Sequence, residues 1–243
     1  MPAADLALFS HVVTRSEADL DLAQAALLIA EPEYPELDIP RYLEQLDQLG
    51  ERARLLLDEA NAANEPPLRR VTRMLHDDLG FAGNDGDYYD PRNSFLNEVL
   101  DRRTGIPITL AVVILEVGRR AGITAHGVGF PGHFLVRTAG PHGPLFLDPF
   151  TGALCDRERL RALHAQATGE SRDPDPRLLE PLEKRLILAR MLNNLRGIYA
   201  AAGDGERLHG VLERIQVLAP SDEIAQQLRA LAPPPRSPPR IMN

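Results

Sequence analysis

The sequence predicts an α+β protein, and three observations carry that prediction. Apolar residues recur at helical spacing over the first ninety residues and again near the C-terminus. A block of short β-prone runs lies between these helical stretches, from Ile123 to Leu147. Immediately before it, Pro107 to Gly122 reads as a helix that is apolar on nearly all sides and therefore buried. Helices followed by a compact group of strands form the α+β pattern.

In chain order, Leu20, Leu22, Ala23, Ala26, Leu27 and Ala30 make a first helical face that ends at Glu31-Pro32. Tyr42, Leu43, Leu46, Leu49, Ala53, Leu56 and Leu57 make a second after Pro40. A third runs from Pro67 to Leu79 and stops at Gly80. A polar loop, Gly83-Asn84-Asp85-Gly86-Asp87, separates these from a helix opened by Asp90 as cap and Pro91 in the first turn. Asn93 and Asn97 stand four apart there and are expected on one face.

Pro107 suits the first position of the central helix, and Gly122 suits the position past its end. Ile123–Phe130, His133–Thr138 and Leu145–Leu147, divided by Pro131-Gly132 and Gly140-Pro141-His142-Gly143, predict an antiparallel meander. A helix is expected near Arg157–Gln166. The polar stretch 168–177, with two prolines, is the best boundary between a first domain, 1–167, and a helical segment, 178–231. The proline-rich end, 232–243, is expected to be a disordered tail.

Composition excludes several classes of function. Lys and Arg total 27 against 35 Asp and Glu, a formal charge of −8, which argues against nucleic acid as a partner. Lys184 is the only lysine and Cys155 the only cysteine, so no intrachain disulfide can form. Met1–Arg15 lacks a basic region followed by an apolar run, and no window has the roughly 18–20 apolar residues of a membrane helix. A cytoplasmic protein without membrane association is expected. No cofactor or metal is expected either. There is no zinc-spaced His/Cys cluster, no bidentate Glu downstream of Asp85 and Asp87, and no phosphate loop.

One constellation has the ingredients of chemistry: the helix beginning at Pro107, His133 at the start of a strand, and Asp148 at the end of the next. A helix start favours an anionic nucleophile, a histidine can take its proton, and a carboxylate can orient the histidine. The motifs around these points carry a resemblance. Tyr88-Tyr89-Asp90-Pro91-Arg92-Asn93-Ser94-Phe95-Leu96-Asn97-Glu98-Val99-Leu100, Gly105-Ile106-Pro107-Ile108, Gly129-Phe130-Pro131-Gly132-His133-Phe134-Leu135-Val136-Arg137 and Asp148-Pro149-Phe150 resemble, in order, the transglutaminase-like core of the SirB-one family. Ala25–Ala30 fits the same family, and the spacing from Arg185 to Pro220 fits its single tetratricopeptide-like helical hairpin. The resemblance implies a papain-like core, one central helix on a small antiparallel sheet.

Aligning Arg119 and Gly122-Ile123 with the Arg-x-x-Gly-Ile of that superfamily puts Pro107 where the nucleophilic cysteine belongs. His133 and Asp148 take the histidine and aspartate positions. The resemblance therefore implies a degenerate triad, which reads as a pseudo-enzyme that binds a protein or peptide partner. Asn93 and Asn97, by their spacing, are candidates to line the same groove; they read equally as a capping, loop-bonding residue and a solvent-exposed one. Two alternatives stay open. A hydrolase or acyltransferase would use His133 and Asp148 with water or with Thr109, and a scaffold would bind only through the C-terminal hairpin. Thr109 reads equally as a helix threonine bonding a carbonyl, Cys155 as a small buried residue, and His133 as one half of a structural His–Asp pair. His126 has no evident partner.

Overall fold

The computed structural model describes residues 2–58 and 65–231; the tail expected to be disordered, 232–243, lies outside the described residues. Three helices come first: α1 Pro2–Val13, α2 Leu22–Ala30 and α3 Ile39–Asp58. Asp21 caps α2 by accepting from the Gln24 N–H, and almost every α2 residue is buried. The third predicted helix is real but changes pitch. It begins as α4, Pro67–Arg73, and widens into a π-helical turn over Met74–Asp78.

The helix expected from Asp90 is two pieces. Asp90 accepts from the Arg92 N–H and starts a 3-10 turn, Pro91–Ser94; Phe95 is then extended, and α5 Leu96–Arg102 follows. Asn93 and Asn97 consequently do not share one helix face, because the extended residue between them resets the phase. Two-residue strands β1 Ala82–Gly83 and β2 Thr104–Gly105 pair in parallel and pin this unit to the start of α6, Pro107–Arg120.

The meander has four strands, in the order β3 Ala125–Val128, β4 Leu135–Gly140, β5 Gly143–Asp148 and β6 Ala153–Cys155, all antiparallel. The last was not legible: three residues with Leu154 exposed give no readable period. His133 lies in the turn before β4 and not in the strand. Strand alternation divides the sheet's apolar residues between two cores. Val136 and Leu147 face α6 and join the main core, while Leu135, Phe146 and Cys155 face α7 Arg157–Thr168 and pack with Leu160 and Leu163.

The described residues end with α8 Lys184–Ala202, α9 Gly205–Leu218 and α10 Asp222–Leu231. α8 and α9 form a helical hairpin whose apolar side belongs to the main core: Ile187, Leu188, Met191, Leu192, Leu195 and Tyr199 cluster with residues of α1, α2, α5 and α6. Lys184 fixes its start. The Lys184 ammonium donates to the carbonyls of Glu17 (3.0 Å) and Leu20 (2.8 Å) in the α1–α2 connection.

Candidate functional site

His133 is set by its turn. Gly132 takes φ +62°, a conformation that favours glycine, and a Cβ there would stand 3.0 Å from that of Ala167. The His133 N–H returns to the Phe130 carbonyl at 3.1 Å. This aims the imidazole at the end of β5, where His133 Nε2 lies 2.9 Å from Asp148 Oδ1. Asp148 is 1% exposed and His133 keeps 16% of its side chain open.

Asp148 is the hub of the corner. Its Oδ1 also accepts from the Phe150 N–H at 2.9 Å, and its Oδ2 faces Arg159 Nη2 at 3.5 Å. Burial pushes its pKa up, but the bond and charge of His133, the Phe150 N–H and Thr151 outweigh burial and hold it below the ordinary carboxylate range. Because an ionised carboxylate can only accept, Nε2 carries the ring proton of neutral His133. Nδ1 has no hydrogen-bond partner among the described residues and is the nitrogen left for the cleft.

His76, on the π-helical turn, backs the corner; a Cβ on Gly152 would lie 2.9–3.1 Å from its ring. Burial holds the imidazole of His76 in its neutral form by lowering its pKa, although Asp77 and Asp148 pull the other way. No sequence signal marks His76, a single histidine in an ordinary helical pattern.

The start of α6 is built differently. Pro107 occupies the first helical turn and supplies neither an N–H nor a nucleophilic atom. Thr109 is fully buried; its hydroxyl donates to the Asn93 carbonyl at 2.6 Å and accepts from the Ile106 N–H at 3.2 Å. It does not line the cleft that holds His133. Asn93 is buried too, and its amide is occupied with the Gly83–Asp87 loop. Nδ2 donates to Asp87 O at 2.7 Å, and Oδ1 accepts from Asn84 at 3.1 Å. Asn97 is 2% exposed and its Oδ1 has no hydrogen-bond partner among the described residues. Neither asparagine is among the residues that line the cleft.

Cys155 closes β6 with its thiol in the second core. Burial, then the nearby Asp148 charge, push that thiol up to about 11, so it is protonated at neutral pH and inert as a nucleophile. His126 is exposed on β3. Among the described residues no group of three or more His, Cys, Asp or Glu side chains is placed to hold a metal ion. No described helix is long and apolar enough to cross a membrane.

Around His133 the surface is concave. A cleft of about 330 Å³ is lined by Tyr88, Pro107, His133, Phe134, Arg190 and Asn194, among others. It shares His133 with a hollow of about 340 Å³ that reaches Asp148, Arg159 and Gln166. On its other side it shares Tyr88 and Asn194 with a mostly apolar hollow of about 590 Å³ over Tyr89, Ile198 and Ala201. The three hollows adjoin through these shared residues, and α8 supplies Arg190, Asn193 and Asn194 to their lining. The sequence marked Asn194 only by its place in the hairpin spacing and gave Arg190 and Asn193 no site role. A separate hollow of about 410 Å³, between the end of α2 and the α8–α9 hairpin, carries Glu33, Tyr199 and Arg207 and is remote from this chemistry in its lining.

A buried helix against an antiparallel sheet, with a histidine in the turn before one strand paired to an aspartate at the end of the next, beside the helix start, is the frame of a papain-like fold. Residues 40–193 match the family described as the transglutaminase-like superfamily, and the chain belongs to it. Among curated relatives, a UPF0162 protein of Xylella fastidiosa is 41% identical over 235 residues, covering 93% of this chain and 82% of its own length. A UPF0162 protein of Pseudomonas aeruginosa is 32% identical over 209 residues, covering 86% of this chain and 76% of its own. A shorter likeness, 45% over 70 residues, links 29% of the chain to 11% of F-box only protein 21 of Homo sapiens. No solved structure matches the chain.

Proposed function

We propose that the protein is a catalytically silent transglutaminase-like module that binds an extended peptide segment of a protein partner in the groove over His133. The observation that carries this reading is the composition of one cleft. His133, oriented by Asp148 at 2.9 Å, opens onto it, while the position that the motif alignment gives to the nucleophile is Pro107. A histidine without a thiol beside it still offers an oriented polar contact, but acyl transfer by a covalent route has no first step. The groove's continuity from Arg159 to Ala201 suits a chain laid across it better than a single small molecule.

The chain's motifs further support placing it with the SirB-one family, and the spacing of α8 and α9 supports reading that hairpin as a tetratricopeptide-like unit. A scaffold role for the hairpin alone is less favoured, because α8 is itself a wall of the groove. In this reading the protein works in the cytoplasm, where Cys155 stays a thiol.

A second reading rests on the same pair: His133 as general base toward water, giving a hydrolase. Thr109 is a poor nucleophile for it, since its hydroxyl is committed to Asn93 O.

The test has two parts. Purified protein and its His133→Ala variant are incubated with glutamine amides, peptides and thioesters; turnover present in the first and absent in the second would end the silent reading. A fluorescein-capped, C-amidated hexapeptide library is titrated against the protein and a Gly197→Trp variant, which fills the apolar hollow. Binding that Gly197→Trp abolishes supports the groove, and binding that it leaves intact places the peptide elsewhere.

A further inference from the structure

Within that peptide-groove reading, on which this inference rests, Arg190 stands out. Its Nη2 donates to the His133 carbonyl at 3.0 Å and reaches the Phe130 carbonyl at 3.5 Å, and its guanidinium lies over the Phe134 ring, 5.6 Å from the centroid. The bed beneath it needs a bare backbone: a Cβ on Gly129 would stand 2.8 Å from Arg190 Nη1 and 2.7 Å from Leu182 Cδ1. The guanidinium is thus held in place by carbonyls, a ring and a glycine.

No carboxylate pairs with Arg190 among the described residues. The other polar groups of the cleft, Tyr88, His133, Asn193 and Asn194, include no acid, and Asp148 in the adjoining hollow is already engaged by His133 and faces Arg159. Burial lowers the guanidinium's pKa, with only Tyr88 opposing it. A partly desolvated cation without a counter-ion is an unfavourable arrangement that an anionic ligand would relieve. Amide and guanidinium donors without a facing carboxylate also form a hydrogen-bonding set that suits an anion.

We propose that the cleft is a subsite for an acidic side chain, a Glu or Asp within an extended peptide, with Arg190 as its counter-charge. An internal residue fits better than a chain end, because the groove continues past the cleft on both sides. From Arg190 to Ala201 the helix rises about 16 Å, the length of about five extended residues. The residues beyond the acid therefore lie over Gly197, Ile198 and Ala201 and place small apolar side chains there. The formal charge of −8 on the whole chain makes this cationic spot a local feature, so a mostly neutral peptide with one acid is favoured over a strongly acidic one.

The best-binding fluorescein-capped, C-amidated hexapeptide from the library is remade with Glu, with Gln, and with a free carboxylate ending the chain at the same position. Each is titrated against wild type, Arg190→Gln and Arg190→Lys. Wild type is expected to prefer Glu over Gln by about tenfold or more. Arg190→Gln should erase that preference for Glu over Gln, and Arg190→Lys should keep part of it. Equal affinity for Glu and Gln in wild type overturns the subsite and leaves the groove standing. Tighter binding of the chain-ending form overturns the internal acid. Failure of wild type to bind any library peptide overturns this proposal together with the groove reading. Should Arg190→Gln lose its fold by circular dichroism, the wild-type and Arg190→Lys comparisons still decide.

Discussion

Around His133, polar atoms converge on one another: Asp148 gathers the imidazole and the Phe150 N–H on one oxygen and faces Arg159 with the other. At the start of α6, which lines the same cleft, they turn away. Pro107 offers nothing, and Thr109 spends its hydroxyl behind the cleft on Asn93 and Ile106. The geometry of proton transfer is secured beside a helix start that supplies no nucleophile. An oriented imidazole therefore does not by itself identify an enzyme, because the Asp148 corner stabilises the fold whether or not His133 ever moves a proton.

The strongest way to break this contrast is Asp148→Ala. It strands the His133 ring and the Phe150 N–H, and a loss of about 2–3 kcal/mol in urea unfolding is expected. A loss below about 0.5 kcal/mol would mean the corner is not the hub described. Thr109→Val should cost less, about 1–2 kcal/mol, by leaving the buried Asn93 carbonyl and Ile106 N–H short of partners. Thr109→Ser should restore most of that, and neither change should affect peptide binding if the hydroxyl is structural.

The pH dependence sharpens the same comparison. Asp148 has a folded pKa below its unfolded value, so its contribution is complete above the ordinary carboxylate pKa of about 4 and is lost as pH falls through the lower, folded value. Unfolding of wild type should weaken in that acid window, and Asp148→Asn should flatten that part of the curve; an unchanged curve would count against an ionised Asp148.

Pro107→Cys should cost only a few tenths of a kcal/mol, since it relaxes the unfolded chain without removing a bond. It should, however, yield a thiol that iodoacetamide alkylates at neutral pH, more slowly when His133→Ala is added. Cys155, pushed up to about 11 by burial and Asp148, should stay unmodified in the folded protein. If the introduced thiol reacts no faster than Cys155, Pro107 does not stand in a nucleophile's place.

Much was legible before the structure because local physics wrote it. Pro107 and Gly122 bracket α6 through a missing N–H and a positive φ, and the run Ile108–Val117 has no polar face to expose. Helical and strand periods separated the two halves of the fold. The break between Asn93 and Asn97 was not legible, since a single extended residue at Phe95 leaves no trace in periodicity.

What the sequence determined by itself was the class of fold, the buried central helix and the identity of His133 and Asp148 as a pair to watch. What only the tertiary structure decided was their surroundings. Arg190 and Asn194 arrive from a helix 57 or more residues beyond His133 in the chain, through an apolar stripe that docks α8 in the main core. Sequence period fixes which face of α8 is buried. Where the opposite flank lands depends on packing across the whole molecule, and that packing put a cation in the same cleft as the imidazole.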